Sequence, residues 1–253
     1  MGTRAVRAAP LLQTDVHDGD DIRRRKQQLL ASVPDQVSVA VPGAEVAVAE
    51  AADLVARVAG RPLDHGRPSL EAAALLVPDD LVVLVRSHGS WRLAAGVVCF
   101  PSHWSPPTKL GLPITNVHGP VPRYAEELSE RVERFLDHLS PERPVWRRNW
   151  TVHASPELHA PYPVATAGLV APEDHWLRSE RQALAALPLS GGILFTIRTE
   201  QVPLAFLRDR ADIASRLAMA LRSTPPDLAR YRFGGLDTDV LAAWLERQFS
   251  RPE

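Results

Sequence analysis

Two short apolar runs, Leu81 to Val85 and Trp91 to Phe100, are separated by little more than the turn signal Ser87-His88-Gly89-Ser90. Apolar runs flanking a polar tetrapeptide that contains glycine read as an antiparallel hairpin, because a tight reversal needs residues that tolerate positive φ. The chain is thereby committed to a fold containing antiparallel sheet. It leaves the second run through Gly96 to Pro122, GVVCFPSHWSPPTKLGLPITNVHGPVP, a Pro/Gly-rich connection carrying His103 and His118. Connections of this kind, held on rigid elements, are where ligands are bound, although the same stretch also reads as a stiff surface loop.

Beyond this loop the sequence turns to helical periodicity. Tyr124, Leu128, Val132, Phe135, Leu136 and Leu139 recur at helical spacing opposite an acidic and basic face, and Pro122 suits a first turn, so one long amphipathic helix is predicted. A strand over Val145 to Val152 puts Trp146, Arg148 and Trp150 on one face and Arg147, Asn149 and Thr151 on the other. A loop with His153 and His159 comes next. From near Asp174 a helix is expected to carry Trp176, Leu177, Glu180, Leu184 and Leu187, before a strand over Ile193 to Thr199 and helices over Ala205 to Leu221 and Thr238 to Phe249.

Upstream of the hairpin, residues 1–19 show no clear period, and the run Arg23-Arg24-Arg25-Lys26 reads as the solvated basic face of a short helix. An alanine-rich helix, Glu45 to Val58, stops at Gly60, and Ser69 caps a second one ended by Pro78. Strands and helices without a regular βαβ rhythm argue for the α+β class, an antiparallel sheet covered on one face by helices. One domain over residues 1–253 is expected, with a helical segment (1–78), a core (79–204) and C-terminal helices (205–253).

Composition closes off several functions. Lys+Arg 29 against Asp+Glu 30 leaves no basic footprint for nucleic acid. One cysteine, Cys99, excludes an internal disulfide framework or a cysteine-held cluster. With no apolar run of membrane-spanning length and no sustained apolar signal core at the start, the chain reads as soluble and cytoplasmic.

The common catalytic signatures are missing: no Walker-type phosphate loop, no GxGxxG after a strand, no GxSxG, HExxH or CxxC. A set of single residues remains. Glu180 falls on the same helical stripe as three leucines, which directs a carboxylate inward, where it must be paired, neutralised or functional. His153 and His159 lack zinc spacing. One imidazole suffices as the axial ligand of a haem iron, and arginines suit propionates, but an ordinary core carries the same residue types.

Three segments decide between these readings. CFPSHWSPPTKLGLPITNVHGPVPRY, PVWRRNWTVHASPELHAP and LRSERQALAALPLSGGILFTIRT together resemble, in order and spacing, the haem-dependent oxidative N-demethylase α-subunit family. The resemblance implies a PAS-like fold holding haem b and the oxygen-dependent removal of a methyl group from a small amine. Electrons would come from a separate reductase carrying FMN and a 2Fe-2S cluster. It implies His118 as the iron ligand, with His103 as second choice, Arg148, Trp150 and Arg147 as pocket wall and propionate contacts, and Glu180 as the contact to the substrate amine. A haem-binding PAS-like sensor without turnover is the alternative. Where family members often continue FTIRTY, this chain has Glu200 in place of the tyrosine.

Overall fold

The computed structural model describes residues 4–5, 11–13, 17–63, 69–163 and 170–249, so much of the N-terminal stretch read as lacking a period lies outside the described residues. The strands are β1 (Arg4–Ala5), β2 (Ser38–Ala40), β3 (Asp80–Ser87), β4 (Ser90–Val97), β5 (Val145–His153), β6 (Trp176–Leu187) and β7 (Gly192–Pro203). They form one seven-stranded sheet in the order β1-β5-β6-β7-β3-β4-β2, and each neighbouring pair is antiparallel. The chain is therefore α+β with an antiparallel sheet. The β3–β4 hairpin forms as expected, its two-residue turn taking positive φ at His88 (50°) and Gly89 (77°), the backbone twist such turns require.

Helices flank both faces, and not one as the sequence suggested. On one face lie α1 (Gly19–Ser32), α3 (Glu45–Ala59) and α4 (Leu70–Leu76), preceded or separated by the short α2 (Pro34–Val37). They pack on Leu81, Val83, Ala95, Val97, Ala183 and Leu194. Further along the same face, α8 (Ala211–Arg222) and α10 (Thr238–Phe249) cover Val152 and Trp150, with α9 (Pro226–Phe233) between them in sequence. The opposite face carries α5 (Ile114–Val117), α6 (Tyr124–Glu127) and α7 (Ser129–Asp137), which bury Val82, Leu84, Leu93 and Ile193. The expected stops hold. Gly60 ends α3 in the left-handed region at φ 63°, and Ser69 Oγ accepts the Ala72 N–H at 3.1 Å.

Three further sequence expectations need correction. Residues 176–187 form the strand β6 and not a helix: residues 176–184 pair with β5 on one side and the whole strand pairs with β7 on the other, and two ladders outweigh the helical spacing of four side chains. The long helix is broken into α6 and α7 at Leu128, where Ser129 Oγ bonds back to the Ala125 carbonyl and Leu128 itself faces solvent. The basic run is not uniformly solvated. Lys26 is fully buried, its Nζ donating to the Val77 carbonyl at 3.2 Å and to the Asp79 carbonyl at 2.5 Å, because the rotation of α1 that buries Ile22 buries the residue one turn later as well.

Candidate functional site

Strand parity decides which predicted residues can meet. Directly opposed residues share a face, so Arg147 with Gln182, Asn149 with Glu180 and Thr151 with Arg178 form one polar row across β5 and β6, extended by Thr199 and Gln201 of β7 and bordered by Ile197. This is the face covered by α5 to α7. Glu180 is 9% exposed, so its inward placement is right even though it arises from a strand. Its Oε2 accepts from Gln182 Nε2 at 2.9 Å, and its Oε1 lies 3.5 Å from Arg178 Nε. Arg178, wholly buried, also donates to the carbonyls of Leu158 and Phe100, tying the connections after β5 and β4 to the sheet. Arg147 donates from Nε to Gln182 Oε1 at 2.8 Å. Burial weakens its hold on the proton, an effect opposed by the charge of Glu180 nearby.

His118 ends α5. Its Nδ1 lies 2.9 Å from the Ile114 carbonyl, which can only accept, so Nδ1 carries the proton and Nε2 keeps its lone pair. No hydrogen-bond partner meets that Nε2 among the described residues. The ring stacks on Tyr124, centroids 4.6 Å apart and planes 10° from parallel. Burial holds the imidazole below its usual pKa, opposed by the hydrogen bond to the Ile114 carbonyl and reinforced by the charges of Arg147 and Lys109. A protonated Nδ1 fixed on a backbone carbonyl is the arrangement that orients metal-bound histidines.

With that arrangement placed on the same face as Arg147 and Glu180, the comparison with known families can be weighed. The sequence model of the family described as haem-dependent oxidative N-demethylase, alpha subunit-like, matches residues 56–241. The chain belongs to that family. All three segments that carried the resemblance fall inside the match.

Not all residues assigned through the family resemblance converge. Arg148 and Trp150 point to the opposite side of β5 from Arg147. Arg148 pairs with Glu200 at 2.9 Å and with Ser179 Oγ at 2.9 Å, while Trp150 packs on Phe233, their rings 5.6 Å apart. Glu200, where the resemblance implies a tyrosine, is on that far face too. His103 stands elsewhere again, at φ 58°, stacked on His153 at 4.6 Å. These two histidines line a cleft of about 250 Å³ with His159, Tyr162, Phe233 and Leu236. The cleft is smaller than sites that enclose drug-sized ligands. His153, whose Nε2 lies 3.0 Å from Ser102 Oγ, is driven down to about 3 by burial, with Arg178 and His103 adding to the effect. His159 donates from Nδ1 to the Cys99 carbonyl at 2.8 Å, the same posture as His118. Asn149, opposite Glu180, precedes His153 by four strand residues, so cleft and carboxylate are separated by about 13 Å along the sheet.

Sequence reading missed Arg178, Gln182 and Tyr124 as members of this polar face. The first two sit two positions either side of Glu180, so a strand period over 176–187 would have found them. Tyr124 was legible only as one more apolar-stripe residue. Cys99 is buried, and burial, with the charge of Asp80 second, pushes its thiol up to about 12. Among the described residues no group of three or more His, Cys, Asp or Glu side chains is arranged to hold a metal ion, and no helix is long and apolar enough to cross a membrane.

Proposed function

We propose that this chain is a haem-binding oxidoreductase that removes a methyl group from a small amine, with His118 as the iron ligand. The observation that carries the reading is His118 itself: Nδ1–H fixed on the Ile114 carbonyl and Nε2 unpartnered, on the sheet face that also holds Arg147 and Glu180. The family description supplies the group and the reaction class. The PAS-like reading of the fold is supported by a single antiparallel sheet whose last strand, β7, stands in the middle between the β5–β6 pair and the β3–β4 hairpin.

Haem b, when bound, supplies activation of O2 and the oxidising equivalents; the rest is the protein's. His118 holds the iron through Nε2. Arg147, its Nε engaged by Gln182, offers its remaining N–H groups to a propionate. Glu180 accepts a hydrogen bond from the ammonium of the substrate and sets the methyl group's orientation, while Arg178 and Gln182 hold that carboxylate in place. A carboxylate whose partners are fixed in this way loses no ordering entropy when the amine arrives. An alpha-subunit-like chain with one buried cysteine depends on another protein for electrons, and a reductase carrying FMN and a 2Fe-2S cluster fits that need.

One observation favours a second reading. His159 has the same Nδ1–carbonyl posture and, with His103, borders the cleft, so iron held there is the rival site, one that requires the cleft of about 250 Å³ to widen around a haem. The function is tested by supplying haem, an external reductase and dimethylamine under air and measuring formaldehyde. Release that is lost in Glu180→Gln, with haem retained, supports the enzyme. Bound haem that takes up gases yet yields no formaldehyde from any methylamine points to a sensor.

A further inference from the structure

Tyr124 is 5% exposed, and its Oη is buried with no hydrogen-bond partner among the described residues. Buried polar atoms in folded proteins are almost always satisfied, so a phenol kept where phenylalanine would pack equally well calls for an acceptor that arrives from elsewhere. Its surroundings indicate which kind. Its ring lies against His118 at the end of α5, on the sheet face from which Arg147 projects. Arg147 commits only its Nε, to Gln182, and its terminal nitrogens make no hydrogen bond among the described residues. A phenol O–H and a guanidinium with spare N–H groups, presented on one sheet face beside His118, suit an anionic oxygen acceptor, and a carboxylate is the group that a guanidinium grips with two parallel bonds.

We propose that Tyr124 Oη and Arg147 form a carboxylate-binding subsite beside His118, taking one acidic side arm of the group that His118 holds. The proposal rests on the reading of His118 as the haem ligand, and the side arm is then a haem propionate. Tyr124 serves twice in this arrangement: its ring stacks on the imidazole and sets its plane, and its hydroxyl anchors the edge of the macrocycle. It is a positioning residue, and nothing in the resemblance assigned it a role.

The test is a pair of titrations on the full chain, wild type and Tyr124→Phe, with haem b and with haem dimethyl ester, whose esterified arms carry no charge. The expected result is that Tyr124→Phe weakens haem b roughly tenfold, the loss of one hydrogen bond to a charged group, while the ester binds both proteins equally. Urea unfolding of the haem-free proteins should show the variant no less stable, because the change removes an unpartnered polar atom. Equal weakening of both porphyrins, or none for haem b while the wild type binds it normally, overturns the subsite and leaves the His118 reading standing. A wild-type chain that takes up neither porphyrin overturns both.

Discussion

Arg178 and Glu180 stand two positions apart on the same face of β6, with Arg178 Nε 3.5 Å from Glu180 Oε1, the first side chain fully buried and the second 11% exposed. Removing one member of a buried pair leaves an uncompensated charge, and here it also releases the carbonyls of Phe100 and Leu158. Arg178→Ala should therefore lose ~3–5 kcal/mol in urea unfolding. Glu180→Gln keeps the shape and a hydrogen-bonding oxygen, and should cost no more than ~2 kcal/mol while abolishing amine binding. A loss in Glu180→Gln as large as in Arg178→Ala would make the carboxylate a structural group.

The same strand shows how far the fold could be read in advance. The hairpin was legible because its polar turn and apolar runs contrast. β6 was not, because both of its faces are covered: Arg178, Glu180 and Gln182 are buried on one side and Arg181, Ala183 and Ala185 on the other, so no apolar–polar alternation marks it. Helix-forming residues at three- and four-residue steps then imitated a helix. Glu180 was placed inward by the wrong period, and Lys26 was placed outward with the basic run it belongs to, of which Arg24 and Arg25 do face solvent. The split of the predicted site came from parity: Arg147 and Arg148, adjacent in sequence, cannot share a face of one strand.

Arg148 of β5 and Glu200 of β7 pair across β6 on the far face, about half and two-fifths exposed. Such pairs contribute little, so Arg148→Ala and Glu200→Ala should each change stability by less than ~1 kcal/mol. Neither should alter haem uptake or amine response, and Glu200→Tyr, introducing the residue that the resemblance implies, should leave both unchanged. Spectral titration with haem checks this, and a fivefold or greater loss of affinity in Arg148→Ala would return that arginine to the site.

Asp79 is fully buried, with neither carboxylate oxygen hydrogen-bonded among the described residues. Burial pushes its carboxyl from 3.8 up to about 6, although Lys26, Arg198 and Arg181 pull the other way. A raised carboxyl pKa in the folded state favours folding fully below about pH 3.8, and that contribution is lost as the pH climbs through about 6. Asp79→Asn should accordingly stabilise the protein at pH 8 by ~2–3 kcal/mol and make no difference near pH 3.5. Unfolding free energies at the two pH values decide it. A variant less stable at pH 8 would mean that ion pairing with Lys26 outweighs the burial cost.

The reading of His118 as iron ligand is reached most directly by absorption spectra of the chain supplied with haem, oxidised and after dithionite, for the wild type, His118→Ala and His159→Ala. The account predicts an intense Soret band that shifts on reduction in the wild type and in His159→Ala, and that is lost or altered in form in His118→Ala alone. A His118→Ala protein with wild-type haem affinity and an unchanged spectrum would contradict it, and loss of the band in His159→Ala instead would move the iron to the cleft.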